Sequence, residues 1–310
     1  MRSHYRPGPS RAHTRHFGPS ARRGSAKSSK QAINPARFIK KADRAQTANY
    51  QAANSFADFA IHPLLKSNVA MKGCKNPSEI QDKTIPLGLA GNDVVGVANT
   101  GTGKTAAFAL PILNKLMHDR DAQALIIVPT RELAIQIEDQ CRYFAKNSGL
   151  SGALLIGGLP LGRQVTALKN NPRIIIGTPG RIKDHIHQGK LDLSHCGIVV
   201  LDEVDRMLDM GFINDVRFLL DQLPALRQSF FFSATLSPDV NQLIGSFAQN
   251  PLTVDVKMGE TTDNVNQDVL TYGSKVERLD QLHDVLISDG VNKTLILAAL
   301  NTVSRGWLKS

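Results

Sequence analysis

Residues 94–105 read VVGVANTGTGKT. The first four residues form a short apolar run typical of a buried strand, and the apolar segment after Thr105 predicts a helix. Between them, Gly101 and Gly103 allow the backbone to wrap around a polyphosphate, while N–H groups at the helix start point at anionic oxygens. We interpret this stretch as a phosphate-binding loop. The alternative is an ordinary glycine-rich turn between a strand and a helix.

The side chains of this loop support the first interpretation. Lys104 is placed to reach the outer phosphates of a nucleotide, and the Thr105 hydroxyl is a suitable ligand for Mg²⁺. Ala98 stands where the commonest pattern has a first glycine. The residues predicted to bind phosphate in this loop are Thr100, Gly101, Thr102, Gly103, Lys104 and Thr105.

Short aliphatic runs alternate with helix-period segments on both sides of the loop, which predicts an α/β fold with a parallel sheet. Thr130 and Ser237 are predicted to cap helices at their N-termini. Beyond a predicted linker at 257–266, we expect a helix near 279–287. The predicted strands are 94–97, 125–128, 153–156, 174–176, 198–201, 230–232 and 252–256, followed by 269–272 and 294–297.

An acidic tetrapeptide, Asp202-Glu203-Val204-Asp205, follows the predicted strand 198–201. Ligands of open parallel sheets bind at the carboxyl ends of the strands. A carboxylate there is placed to hold Mg²⁺ opposite the phosphate-binding loop, and a neighbouring one to orient or deprotonate the attacking water. The alternative is a solvated helix start, since acidic side chains favour the N-terminal end of a helix.

The positive charge of the chain is concentrated near its N-terminus. The formal net charge is +10, yet residues 1–50 hold twelve Lys or Arg and a single acid, Asp43. This tail is also rich in Ser, Gly and Pro, a composition that predicts disorder. Non-specific attachment to RNA is one reading of it; a solvated tail without function and an organellar transit peptide are the others.

Three widely separated cysteines and the absence of a secretory signal favour a reducing compartment, and we expect a cytoplasmic protein. No apolar run is long enough to span a membrane. His185, His187, His195 and Cys196 lack the spacing of a metal site, and we interpret them as ordinary surface or edge residues.

Six motifs in a fixed order resemble those of the DEAD-box RNA helicases, with a general likeness to bacterial members. Val204 takes the alanine position of the signature tetrapeptide and leaves its three acids in place. The resemblance covers about residues 53–300. The motifs are 98–105, PTREL at 129–133, GG at 157–158, TPGR at 178–181, DEVD at 202–205 and SAT at 233–235.

The resemblance implies a RecA-like domain over 53–262, with a Q motif at about 54–82. Over 263–310 it implies a linker and the start of a truncated second RecA-like domain, while composition predicts a disordered basic tail over 1–52. It further implies that Lys104 and Thr105 bind phosphates and Mg²⁺, that Asp202 holds the metal, and that Glu203 activates water. Asp205, Ser233 and Thr235 would link the nucleotide state to domain closure. Residues that would line the path of one RNA strand are Pro129, Thr130, Arg131, Gly157, Gly158, Thr178, Pro179, Gly180 and Arg181.

The adenine end of the site is predicted from residues 73–81, which resemble the Q motif, with Phe56 upstream in the expected place. The Gln81 amide has a donor and an acceptor side that match the edge of adenine. Ser78 and Gln81 also form a capping-box pattern, which is the alternative role. Cys74 occupies the position of a stacking aromatic, so weaker ATP affinity or adenine selectivity is expected.

The function implied is that of an ATP-dependent RNA helicase or RNA-remodelling ATPase, with ATP and Mg²⁺ as cofactors and RNA bound through its backbone. No HRxGR-like segment occurs in the sequence, so these residues alone are expected to bind ATP, hydrolyse it slowly and not unwind duplexes. One alternative is a non-catalytic ATP- and RNA-binding lobe that acts as an anchor or competitor. A second is a DNA-translocating P-loop ATPase. Ribonucleoprotein or ribosome-assembly partners are compatible with this function but are not identified by the sequence.

Overall fold

The computed structural model describes residues 39, 50–256, 266, 268–288, 293, 294 and 296. The chain divides into two compact units, one over Asp43–Asn264 and the other comprising the two ends. No helix in the described part of the chain is long and apolar enough to cross a membrane. The predicted tail, apart from 39 and 50–52, lies outside the described residues.

The larger unit contains a seven-stranded sheet in which every pairing is parallel, with the order β3-β4-β2-β5-β6-β1-β7. The predicted α/β fold with a parallel sheet is therefore confirmed. The strands are β1 (Val94–Val97), β2 (Ala124–Ile127), β3 (Gly152–Leu155), β4 (Ile174–Gly177), β5 (Ile198–Leu201), β6 (Gln228–Ser233) and β7 (Leu252–Asp255).

Helices connect these strands, and two further helices precede β1. In chain order the helices of this unit are α1 (Pro63–Met71), α2 (Glu79–Leu89), α3 (Lys104–His118), α4 (Arg131–Phe144), α5 (Leu161–Lys169), α6 (Pro179–His187), α7 (Val204–Asp209), α8 (Ile213–Asp221) and α9 (Pro238–Phe247). The predicted caps are present: Thr130 Oγ1 accepts from the Leu133 N–H at 3.3 Å, and Ser237 Oγ from the Val240 N–H at 3.3 Å.

Two apolar cores lie on opposite faces of the sheet. Successive residues of a strand point to opposite faces, so Phe230 and Phe232 of β6 belong to one core and Phe231 to the other. All three side chains are fully buried. Because both faces are covered, the inner strands are continuous apolar runs, which is the pattern that made them recognisable in the sequence.

Most predicted strand boundaries differ from the observed ones by one or two residues, because backbone pairing does not stop where an apolar run stops. The smaller unit differs more. Its helix α10 (Lys275–Ile287) is capped at the N-terminus by Ser274, whose Oγ accepts from the Glu277 N–H at 3.2 Å. The strand predicted over 269–272 was wrong: these residues form no strand, since the described residues offer no neighbour to pair with. Much of the strand predicted over 294–297 lies outside the described residues.

The close approach of β4 to β3 depends on Gly177. A Cβ atom there would lie 2.3 Å from the backbone oxygen of Leu155. We expect Gly177→Ala to lower the free energy of unfolding by about 1–3 kcal/mol, because backbone must shift to accept the methyl group. Urea unfolding followed by circular dichroism measures the change. The matched control is Gly162→Ala on α5, where a Cβ meets nothing within 4 Å; equal effects of the two substitutions would contradict the prediction.

Candidate nucleotide and nucleic-acid sites

The strand order brings the predicted chemistry to one edge of the sheet. β6 lies between β1 and β5, and all three run in the same direction. The phosphate-binding loop follows β1, the acidic tetrapeptide follows β5, and Ser233 ends β6. The carboxyl ends of these strands therefore place the three segments side by side, where ligands of open parallel sheets bind.

The loop after β1 has the backbone of a phosphate cradle. Gly101 and Gly103 have φ angles of 82° and 95°, a region that L side chains avoid, and α3 begins directly after Gly103. The Lys104 side chain is buried, and its Nζ donates to the Ala98 oxygen at 3.1 Å. The same Nζ lies 3.9 Å from Asp202 Oδ1. The two predicted groups, far apart in sequence, thus form one buried ion pair.

Burial dominates the electrostatics of Asp202. It raises the pKa of Asp202 to about 6, although the Lys104 charge acts in the opposite direction. Asp202 Oδ1 also accepts from the Glu203 N–H at 2.9 Å. Glu203 itself has φ 54° and ψ 52°, and its Oε2 lies 3.0 Å from Arg206 Nη1. The carboxylate predicted to act on water is therefore held beside the buried one.

The donor set fits Mg²⁺. No group of three or more His, Cys, Asp or Glu side chains able to hold a metal occurs among the described residues. Mg²⁺ commonly uses one or two carboxylates together with phosphate oxygens and water, and Asp202 beside a phosphate-binding loop meets that requirement. A cation would also stabilise the ionised form of a carboxylate whose pKa is raised by burial. Thr105, on the first turn of α3, is the hydroxyl-bearing residue next to the loop.

Nucleotide binding should depend on pH through Asp202. Because Mg²⁺ binds the carboxylate and not the acid, we expect the affinity for Mg–ADP to fall as the pH decreases through about 6. Well below that pH, the affinity should fall by about tenfold for each pH unit. Fluorescence titration between pH 7.5 and 5 measures it. Protonation of ADP contributes as well, so Asp202→Asn is the reference: a slope unchanged by this substitution would contradict the prediction.

Asp205 joins the tetrapeptide to the segment after β6. Its Oδ2 accepts from the Ala234 N–H at 3.1 Å, the Thr235 N–H at 2.9 Å and Thr235 Oγ1 at 3.0 Å. Ser233 Oγ accepts from the Asp205 N–H at 3.3 Å and donates to the Thr235 oxygen at 2.7 Å. The three residues predicted to couple nucleotide state to closure are therefore one hydrogen-bonded unit.

Gln81 contacts both its own helix start and the phosphate-binding loop. Its Oε1 accepts from the Ser78 N–H at 2.9 Å, and its Nε2 donates to the Gly103 oxygen at 2.9 Å. The capping contact is thus present, and a loop contact is added to it. Adenine recognition by Gln81 stays a prediction. Phe56 lies buried in the core with its ring 5.9 Å from that of Phe59, and Cys74 is half-buried against the same core.

Sequence reasoning missed Asp82, which ties the segment before α1 to α2. It accepts from Tyr50 Oη, the Ala53 N–H and Asn54 Nδ2, each at 2.7 Å. Burial works to raise the pKa of Asp82, but these hydrogen bonds outweigh it and the pKa is lowered. The sequence offered no distinct signal, because Asp82 stands among other polar residues in the first turns of α2. Its partners lie about thirty residues away and have no sequence pattern.

A second candidate site lies past the carboxyl ends of β2, β3 and β4. A cavity of about 470 Å³ there is lined by seven of the nine residues predicted to contact RNA. The Arg131 guanidinium covers the glycine pair, since a Cβ on Gly157 would lie 2.6 Å from its Nη2. The predicted lining residues are Pro129, Thr130, Arg131, Gly157, Thr178, Gly180 and Arg181; the sequence did not identify Glu132, Asp184, Met210 and Phe212.

Two predicted RNA contacts, Gly158 and Pro179, are not among the lining residues of this cavity. Gly158 is next to it, with φ 83° and the Arg131 guanidinium close by. The interpretation of His185 and Cys196 as surface or edge residues was wrong, because both side chains are fully buried. His187 and His195 are exposed.

Comparison with known proteins agrees with this geometry. The family model described as DEAD/DEAH box helicase matches residues 78–243, more than half of the chain. The chain belongs to this family. Among curated relatives, this DEAD-box chain is 40% identical over 232 residues to the ATP-dependent RNA helicase CshA of Listeria monocytogenes. The match covers 74% of this chain and 45% of CshA, so the DEAD-box chain spans less than half of that relative.

Two solved structures share the fold of this DEAD-box chain. A DEAD box protein from the hyperthermophile Methanococcus jannaschii aligns with a TM-score of 0.63 and 34% identity, over 76% of this chain and 63% of that one. A hypothetical ATP-dependent RNA helicase from Sulfolobus tokodaii aligns with a TM-score of 0.59 and 36% identity, over 63% and 57%. The predicted RecA-like architecture is thereby confirmed for the larger unit.

Proposed function

We propose that this chain is the nucleotide- and RNA-binding part of an ATP-dependent RNA helicase. The observation that carries the proposal is the buried pair of Lys104 and Asp202 at the carboxyl edge of the sheet, 3.9 Å apart. A phosphate cradle facing a buried carboxylate is the arrangement needed to hold a nucleotide with its cation. Family membership makes ATP the expected nucleotide.

In this proposal each side chain has a separate task. Lys104 and the N–H groups at the start of α3 bind the β- and γ-phosphates. Thr105 and Asp202 hold Mg²⁺, which when bound neutralises charge on the phosphate oxygens. Glu203 orients the attacking water and accepts its proton. The unit of Asp205, Ser233 and Thr235 links these events to the segment after β6.

The cavity past the carboxyl ends of β2, β3 and β4 is the proposed RNA site. Its threonines, backbone amides and arginines are groups that contact phosphate and sugar, so binding would be largely independent of base sequence. Glu132 and Asp184 also line it, and Arg181 Nε lies 3.6 Å from Asp184 Oδ2. Positive charge at this site is therefore partly compensated, which favours weak contacts that are readily released.

A polypeptide of these 310 residues is proposed to bind ATP and to hydrolyse it slowly. The family's second lobe supplies arginines directed at the γ-phosphate, and such a group contributes about 10³–10⁵ to the rate of phosphoryl transfer. No HRxGR-like segment is present in the printed sequence. Duplex unwinding, which needs closure of two lobes, is not proposed for this polypeptide alone.

The test is phosphate release from the purified polypeptide with Mg–ATP, with and without single-stranded RNA. Slow release that RNA stimulates above a Lys104→Ala control supports an ATPase. Nucleotide binding with no release above that control supports a non-catalytic lobe instead. A DNA strand of the same sequence is the third arm, because the 2′-hydroxyl distinguishes the two nucleic acids; equal stimulation by DNA would contradict the RNA-specific proposal.

A further inference from the structure

One buried side chain, Gln164 of α5, spans the glycine turn of the RNA site. It is 3% exposed. Its Nε2 donates to the backbone oxygens of Ile156 and Leu159, both at 3.1 Å. These two carbonyls stand on either side of the Gly157–Gly158 pair. A single amide nitrogen therefore holds both ends of the turn that Arg131 covers.

The other end of the same amide reaches α6. Gln164 Oε1 lies 3.2 Å from Nε2 of His185, whose side chain is fully buried. The two carbonyls fix the amide orientation, since the reverse one would point oxygen at oxygen. An amide oxygen only accepts, so His185 must donate from Nε2. Its Nδ1 is buried without a hydrogen-bond partner, which fits the neutral ring.

The ring's electrostatics agree with this assignment. Burial, with a further contribution from Arg181, lowers the pKa of His185. A neutral ring with its proton on Nε2 has one N–H donor, and Gln164 Oε1 accepts the hydrogen bond from it. His185 lies on the helix that begins with the 178–181 segment of the RNA site. The hydrogen bond therefore connects the two backbone segments proposed to contact one RNA strand.

The same two segments are joined elsewhere through the sheet, where Leu155 of β3 pairs with Gly177 of β4. Beyond these residues the chains diverge, one into the glycine turn and the other into α6. A buried side-chain bridge placed just past the last paired residues can fix the separation of the two turns. A buried hydrogen-bonded bridge of this kind favours one arrangement over its alternatives.

We propose that Gln164 and His185 are positioning residues for RNA, which hold the glycine turn and residues 178–181 at the separation that one strand requires. The inference rests on the proposed RNA function of the cavity. Neither residue touches the nucleotide site as described. Loss of the bridge should therefore weaken RNA binding and leave nucleotide binding unchanged, which a general loss of stability would not do.

The test measures binding of a fluorescent oligouridylate by anisotropy, in the presence of a saturating non-hydrolysable ATP analogue. His185→Phe removes the donor and keeps a ring, and is expected to weaken RNA affinity about fivefold. His185→Gln restores a donor and should remain within about twofold of the wild type. Gln164→Met removes all three contacts and should match or exceed the first effect. Gln188→Met, at the exposed end of α6, is the control.

Arg131→Ala separates RNA in the cavity from RNA held by the basic tail. On that background, His185→Phe should add less than about twofold, because both substitutions act on the same bound strand. Unchanged RNA affinity in His185→Phe, or equal losses of RNA and nucleotide affinity, would overturn the inference. If Arg131→Ala alone left RNA affinity at the wild-type value, the proposed RNA site itself would be overturned. Should Gln164→Met not fold, the two His185 variants decide the outcome by themselves.

Discussion

Replacing Lys104 with methionine is expected to weaken Mg–ATP binding by about a hundredfold. The lost attraction is that of a buried ammonium group for the outer phosphates. Two unit charges about 4 Å apart interact by roughly 4 kcal/mol near a protein surface, and a hundredfold change in affinity corresponds to about 2.7 kcal/mol. Isothermal titration with the wild type and the variant measures the effect directly.

Lys104→Met should also change the protonation of its partner Asp202. Lys104 offsets part of the burial cost of the Asp202 charge, 3.9 Å away. Without it, the pKa of Asp202 rises further, so residual nucleotide binding should need a higher pH or more Mg²⁺. The control is Lys115→Met, at the exposed end of the same helix α3, which should bind normally. An affinity within about threefold of the wild type for Lys104→Met would refute the assigned role of this residue.

The sequence was informative wherever a functional residue lies within a few positions of a strand end. Lys104 and Asp202 were predictable as partners because strand, turn and helix patterns are local, and because parallel strands present their carboxyl ends at one edge. The position of β6 between β1 and β5 was not predictable in this way. It depends on packing between residues more than a hundred positions apart.

Buried polar contacts were the part that sequence patterns did not reveal. Asp82 receives hydrogen bonds from residues 28 to 32 positions away, and Gln164 meets His185 at a separation of 21. Neither spacing is a helical or strand period, so periodicity carries no signal for it. His185 was assigned to the surface or an edge because it lacks the spacing of a metal site, and spacing says nothing about burial. Gln164 Oε1 accepts a hydrogen bond from the buried ring, which offsets part of the cost of burying it.

Replacing Glu203 with glutamine is expected to lower the rate of ATP hydrolysis by about 10²–10⁴, the usual contribution of a general base. Nucleotide affinity should stay within about twofold, since Lys104 and Asp202 are unchanged. Glutamine keeps the shape of the side chain and can still accept from Arg206, which contacts Glu203 Oε2 at 3.0 Å. The difference between the two side chains is therefore confined to the capacity to take a proton.

Single-turnover hydrolysis of γ-labelled ATP, with single-stranded RNA at saturation, measures this effect even when the wild-type rate is slow. Asp209→Asn is the matched control, because it removes an exposed carboxylate from α7, the helix whose N-terminus follows Glu203. A Glu203→Gln rate equal to the wild-type rate would exclude Glu203 as the base. A Glu203→Gln rate equal to that of Lys104→Met, with nucleotide still bound, would assign the chemical step to this carboxylate and the binding step to the lysine.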